Sequence, residues 1–288
     1  MVEDLVRPQG PFSLRTSARL AGDATRRFDG RILVCLFELD GRLERAAAWQ
    51  QTDGALELRA LSEGGLQRLK AVLPLEGDHT EFLQRFADDR LLRRPVRELR
   101  GLRPLRLGTV TQAVLRAICG QLIEAKRARN LELRLIRATS PTDGVLYAPP
   151  EPQAFCAFAP AELQRLGLSA RKAATLVRLC RTLDLERLRF VPPAGAAKRL
   201  QRERGLGPWS VGVIGLHGLG SYHFGLVGDL GLIKLCSALL DRRAEPEDTA
   251  ELLAPYGEWQ GLASVYLLAG LARSLLPVPA ERGLLTAA

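Results

Sequence analysis

The stretch Glu203–Leu235, "ERGLGPWSVGVIGLHGLGSYHFGLVGDLGLIKL", holds nine glycines and one aspartate, in a chain otherwise rich in Leu, Ala and Arg. Basic residues at helical spacing end at Arg204, Gly205-Leu206-Gly207 interrupts them, and Pro208 opens a new apolar run. Glycine supplies the left-handed cap at a helix C-terminus, and proline is favoured in the first turn of the next helix. The spacing predicts a helix, a tight glycine hairpin and a second helix. Backbone N–H groups left open at such a corner can hold a phosphate, although the same dipeptides also make plain helix–helix corners. Asp229 follows Trp209 by twenty positions and stands just before another apolar helical run. Alone it reads either as an N-cap, worth about 1 kcal/mol, or as a carboxylate presented over a cleft.

Outward from this stretch the chain divides in two. In residues 1–80, "FSLRTSARL" (12–20) alternates apolar and polar residues, "RILVCLFEL" (31–39) is a β-rich apolar run, and "ALELRAL" (55–61) alternates again. Gly- and Asp-containing turns separate them, which predicts antiparallel strands. "SEGGLQRLKAVLPL" (62–75) then switches to helical spacing. Residues 81–288 are expected to form an all-α domain. Its long amphipathic segment, "TVTQAVLRAICGQLIEAKRARNLELRLIRA" (109–138), puts Val110, Val114, Ala117 and Ile118 on one face. The fold class is therefore a small α+β domain, an antiparallel sheet with a helix, followed by a mainly α domain.

Composition narrows the partners. With 47% apolar and 25% charged residues the 288-residue chain is an ordinary globular protein. No eighteen consecutive apolar residues occur, so no membrane partner is expected, and the acidic start "MVEDLVRPQGPF" does not read as a secretory signal. A cytoplasmic location is the expectation. The net charge of +9 favours a polyanion, while five Lys against 36 Arg also fits codon bias in a GC-rich genome. The five cysteines are scattered, never in a C-x-x-C pair, and read as structural thiols rather than a disulfide frame, zinc site or iron–sulfur site.

The pattern G-x-G-P-W-[ST], a Gly-rich interval and an Asp leading an apolar helix resemble the helix-hairpin-helix DNA glycosylase superfamily, and within it the 3-methyladenine DNA glycosylase II branch. "QAVLRAICGQLIEAKRA" (112–128) resembles the segment bearing its I-x-G-Q signature. "LGLSARKAATLVRLC" (166–180) is similar to its second hairpin-like helix pair, and "YGEWQGLASVYLL" (256–268) to its last helix. The likeness spans most of residues 1–275.

That resemblance implies a base-excision repair enzyme that flips an alkylated purine out of damaged double-stranded DNA and hydrolyses its N-glycosidic bond. Gly205, Leu206 and Gly207 would grip a backbone phosphate. Gln121 and Leu122 would fill the gap left by the flipped base, and Asp229 would be catalytic. Trp209 and Trp259 would offer aromatic faces to a cationic base. No cofactor and no metal site are implied beyond a cation held by hairpin carbonyls, and a monomer is expected. Family members that also cut the strand carry Lys where this chain has Trp209, so the resemblance implies a monofunctional enzyme. Lys234 lies five residues past Asp229, in a register that argues against a shared site. Val213 stands where the branch tends to have an aromatic residue, implying a roomier base pocket. Three other readings stay open: a glycosylase for deaminated or oxidised bases, a non-catalytic DNA-binding protein, and a helical interaction protein.

Overall fold

In the computed structural model, which describes residues 1–277, the chain begins with a five-stranded antiparallel sheet. Its strands are β1 (Val2–Val6), β2 (Arg26–Phe28), β3 (Ile32–Leu39), β4 (Arg42–Gln50) and β5 (Leu56–Ala60), in the spatial order β1-β5-β4-β3-β2. Helix α1 (Leu14–Ala18) lies between β1 and β2, and α2 (Glu63–Val72) follows β5. Leu33, Cys35 and Phe37 of β3, Ala46 and Ala48 of β4, and Leu66, Leu69 and Val72 of α2 share one buried cluster. Ser62 caps α2, its Oγ accepting from Gly65 N at 3.0 Å, and Glu44 of β4 holds that cap, Oε1 accepting from Leu61 N and Ser62 N at 2.7 and 2.8 Å. The expectation of a strand over 12–20 is corrected here. Ser13 caps a helical turn by accepting from Thr16 N, and Leu14, Ser17 and Ala18 bury at i, i+3 and i+4. A local cap overrode an alternation only a few residues long.

The rest is helical: α3 (Thr80–Arg85), α4 (Arg93–Glu98), α5 (Val110–Gly120), α6 (Ala125–Thr139), α7 (Pro152–Cys156), α8 (Pro160–Arg165) and α9 (Ala170–Thr182). Then come α10 (Pro193–Gln201), α11 (Pro208–Ile214), α12 (Leu230–Leu240), α13 (Pro246–Leu253) and α14 (Gln260–Ala272). Their apolar faces meet in a second core that includes Val110, Val114, Ala117 and Ile118. The long amphipathic segment over 109–138 forms two helices, broken at residues 121–124. Residues 278–288, the end of the second expected domain, lie outside the described residues. No helix among the described residues is long and apolar enough to cross a membrane. The five cysteines are free, and burial pushes the Cys35 and Cys180 thiols up to about 12, as expected of structural thiols.

Two polar clusters join the sheet to the helices. Arg103, 0% exposed, donates to Pro74 O at 2.9 Å, to Gln9 O, and through Nε to His79 Nδ1 at 3.0 Å. Arg116 on α5 grips Glu132 of α6 at 3.1 Å with both Nε and Nη2, and reaches Asp23 at 2.8 Å. Because Arg103 occupies Nδ1, the His79 proton sits on Nε2, facing the Tyr266 hydroxyl at 3.4 Å. Burial, reinforced by the Arg103 charge, lowers the His79 pKa to about 3. The unfolded chain therefore takes up a proton near pH 6.5 that the folded chain refuses, and stability falls as pH drops below that value. Between pH 7 and 5 this one group is expected to cost about 2 kcal/mol. Urea unfolding of His79→Gln at the two pH values should show a correspondingly smaller loss than wild type. An equal loss would assign the pH dependence elsewhere.

Candidate active site and nucleic-acid interface

The glycine hairpin connects α10 to α11, as the sequence pattern predicts. Gly205 has φ +95°, and a Cβ there would lie 2.7 Å from Thr175 Oγ1 on α9, so only glycine fits. Gly207 differs. Its φ is −89°, and an added Cβ would meet nothing within 4 Å. Nothing in the protein itself requires glycine at 207, and the space above its backbone is open. Leu206, between them, is buried in the helical core and anchors the hairpin.

The other glycines of the stretch let chain segments approach closely. After α11 and the wide helical turn Gly215–Leu219, residues 220–229 run back along the helix. A Cβ on Gly212 would lie 2.4 Å from Gly225 O, and one on Gly218 would lie 2.8 Å from Ala113 Cβ of α5. The returning segment is pinned by Gly261 N to Tyr222 O at 2.7 Å, Leu226 N to Ser264 Oγ at 3.1 Å and Gly228 N to Thr249 Oγ1 at 2.7 Å. Gly215 is the C-cap of α11, and Gly218 lies within the helical turn, where it packs against α5.

This return delivers Asp229 to the start of α12, half-buried, beside the N-terminus of α11. Its Oδ1 accepts from Gly231 N at 2.8 Å and Leu232 N at 3.4 Å, and its Oδ2 accepts from Trp209 Nε1 at 3.1 Å. The Trp209 ring packs on Gly120, the last residue of α5, where a Cβ would lie 2.5 Å from Cη2.

The break after Gly120 presents Gln121 and Leu122. Gln121 Nε2 donates to Gly205 O at 2.8 Å and to Ser210 Oγ at 3.0 Å. The Gly205 carbonyl, a candidate for holding a cation, is thus already bonded to the protein. Lys172 Nζ on α9 donates to Gln121 O at 2.8 Å and to Cys119 O at 3.3 Å, fixing the loop from below. Leu122 has φ +58° and is 95% exposed. A branched apolar side chain in left-handed backbone, held up to solvent, is costly on both counts.

Trp259 shares no hydrogen bond with these residues. Its ring neighbours are Tyr222 at 6.0 Å and Phe82 at 5.9 Å, and its buried indole N–H lacks a hydrogen-bond partner. Val213 is buried in the helical core, and Lys234 is exposed on α12. No group of three or more His, Cys, Asp or Glu side chains converges on a metal-sized space among the described residues.

Sequence reasoning missed one feature. A surface cleft of about 450 Å³ beside the hairpin is lined by Arg171, Ala174, Thr175, Arg178 and Arg204. Arg178 is tied to Glu203 at 2.5 Å and to Arg204 O at 2.7 Å. The i, i+4, i+7 spacing of Arg171, Thr175 and Arg178 was the available signal.

No protein-family model matches the chain. The chain is 26% identical over 204 residues, 67% of each protein, to the DNA-3-methyladenine glycosylase of Bacillus subtilis. Its structure resembles that of the 3-methyladenine DNA-glycosylase of Archaeoglobus fulgidus, with TM-score 0.77, 20% identity, and coverage of 93% of this chain and 97% of that one. It also resembles the 8-oxoguanine glycosylase/lyase of Clostridium acetobutylicum solved with double-stranded DNA, with TM-score 0.73, 15% identity, and coverage of 96% and 99%. Over nearly its whole length the chain shares the sheet-plus-helices fold of these DNA glycosylases, and its G-x-G-P-W-S hairpin and the aspartate at the following helix start resemble the helix-hairpin-helix DNA glycosylase superfamily.

Proposed function

We propose that the protein is a monofunctional DNA glycosylase of the 3-methyladenine II type, which extrudes an alkylated purine from duplex DNA and hydrolyses its N-glycosidic bond. The observation that carries this reading is connectivity. Gln121 bonds the hairpin carbonyl while bearing Leu122 beside it, and Trp209, two residues past the hairpin, bonds Asp229. Phosphate grip, wedge and carboxylate are thus joined through short side-chain contacts.

In this reading Gly205–Gly207 and the neighbouring arginine cleft hold the DNA backbone, and Leu122 replaces the flipped base in the stack. Extrusion costs a few kcal/mol and is easiest for damaged pairs. As the bond from C1′ to the base breaks, its electron pair leaves with the base, and positive charge builds on the sugar. The Asp229 carboxylate stabilises that charge and orients the attacking water, whose proton it can accept. An alkylated purine that already carries a positive charge departs neutral and needs no strong acid. Trp209 and Trp259 are the aromatic surfaces proposed for the cationic base, each contact worth about 0.5–2 kcal/mol. Strand cleavage by a Schiff base requires an amine near the sugar. Position 209 is Trp, Lys172 is committed to two carbonyls and Lys234 is exposed on α12, five residues past Asp229. These features favour hydrolysis over the lyase chemistry named for the Clostridium neighbour.

Duplexes carrying one alkylated, oxidised or deaminated base test the assignment, with borohydride present to trap imines. Release confined to the alkylated duplex, leaving an uncut abasic strand and no trapped adduct, is expected. A borohydride adduct would overturn the monofunctional assignment, and release of 8-oxoguanine alone would overturn the substrate class.

The wedge makes a separate prediction with opposite signs. Leu122→Gly relieves the left-handed strain, so the free protein should keep its stability or change by no more than about 1 kcal/mol. Affinity for an abasic-site duplex should fall about tenfold, because the side chain that fills the gap is gone. Unchanged affinity in a gel-shift titration would remove Leu122 from the interface.

A further inference from the structure

We infer that Trp209 is a positioning residue for Asp229, acting through its indole N–H, and that Gly120 sets the position of that indole. The inference rests on Asp229 being the catalytic carboxylate. An aspartate at a helix start is held through one oxygen only, and here Oδ1 serves Gly231 N and Leu232 N. The terminal torsion of a carboxylate is broad, so a cap alone leaves the second oxygen free to swing. Trp209 Nε1 removes that freedom by donating to Oδ2 at 3.1 Å, a bond to an ionised acceptor of the stronger kind.

The donor is itself fixed. The far edge of the indole sits against Gly120, closely enough that a methyl group there would lie 2.5 Å from Cη2. Ala fits a helical residue better than Gly on propensity, so a glycine closing α5 serves this contact. Gly120 immediately precedes Gln121 and Leu122. A short packed path therefore leads from the loop that would enter the DNA, through the indole, to the carboxylate oxygen. Orientation of Asp229 is thereby tied to the seating of that loop. This gives Trp209 a role in addition to that of an aromatic platform, which uses the ring face and makes no demand on the N–H.

The test is a double-mutant cycle on single-turnover base release from an alkylated duplex, with abasic-duplex affinity measured alongside. Trp209→Phe keeps an aromatic ring and deletes the donor. It is expected to lower the rate about tenfold, to leave abasic-duplex affinity within about twofold, and to have no further effect in the Asp229→Asn background. Gly120→Ala, which displaces the ring, is expected to follow the same pattern. A wild-type rate for Trp209→Phe, an equal drop in both backgrounds, or a matching loss of affinity would overturn the inference. A second readout is independent of activity. The chain has three Trp, so Trp209 contributes one of three indole N–H resonances, assigned through Trp209→Phe. That resonance should move in Asp229→Ala, and a resonance that stays in place contradicts the bond. If wild type released no base while the resonance moved, the glycosylase reading would fail and the contact would stand.

Discussion

Asp229→Asn is expected to slow base release by at least about 100-fold while leaving a folded protein that still binds an abasic duplex. The magnitude follows from removing a full negative charge from the point where the sugar becomes cationic, in a site that water only partly reaches. The fold survives because asparagine is as good an N-cap as aspartate: its carbonyl can accept from Gly231 N and Leu232 N as Oδ1 does now. The amide NH2 would then face Trp209 Nε1–H, and two donors cannot satisfy each other, so about 1 kcal/mol of stability should be lost. Asp229→Ala removes the cap as well and should be both inactive and the less stable of the two. Single-turnover kinetics with abasic-duplex titration separates these effects. A rate within a few-fold of wild type for Asp229→Asn would return Asp229 to the role of a cap.

The second large effect concerns stability. Arg103→Leu is expected to lower it by about 4 kcal/mol, which for a chain of this size shifts the midpoint of thermal unfolding by about 10 °C. Arg103 has no carboxylate among its hydrogen-bond partners. Its guanidinium is held by Pro74 O and His79 Nδ1 of the α2–α3 connection and by Gln9 O of the segment after β1. Deleting it strands those acceptors, each at a cost of roughly 1–3 kcal/mol when buried. Arg103 shares no side-chain hydrogen bond with Gln121, Trp209 or Asp229, so rates measured well below the midpoint should stay near wild type. Calorimetric unfolding showing less than about 1 kcal/mol of loss would mean that water replaces the guanidinium and that the junction is not a closed polar core.

The difference between what was legible in the sequence and what was not follows from the range of the interactions. The hairpin and the capping position of Asp229 are local, written in glycines, a proline and a twenty-residue spacing, and they could be placed without coordinates. The helix at α1 was hidden because a single Ser13 cap outweighed a short apolar alternation. The break at 121–124 was hidden for the opposite reason. Leu122 adopts a left-handed backbone that leucine rarely favours, so no glycine or proline marks it. What holds that break is non-local: Gln121 bonds Gly205, 84 positions away, and Lys172, 51 positions on, bonds Gln121. The glycines at 212 and 218 were visible, but their reason was not, since it lies in the approach of Gly225 and Ala113. Trp209 was expected to show an aromatic face; that its N–H points at Asp229 is a matter of side-chain geometry, which spacing does not encode.

The central claim is that this chain breaks an N-glycosidic bond with Asp229. Its most direct test is chromatographic detection of free base after incubation with methylated duplex DNA, wild type against Asp229→Asn at matched protein concentration. Wild type is expected to release N-methylated purine in proportion to protein and to leave an intact abasic strand, and the variant is expected to release almost none. Duplex binding without any released base, or equal release by both proteins, would contradict it.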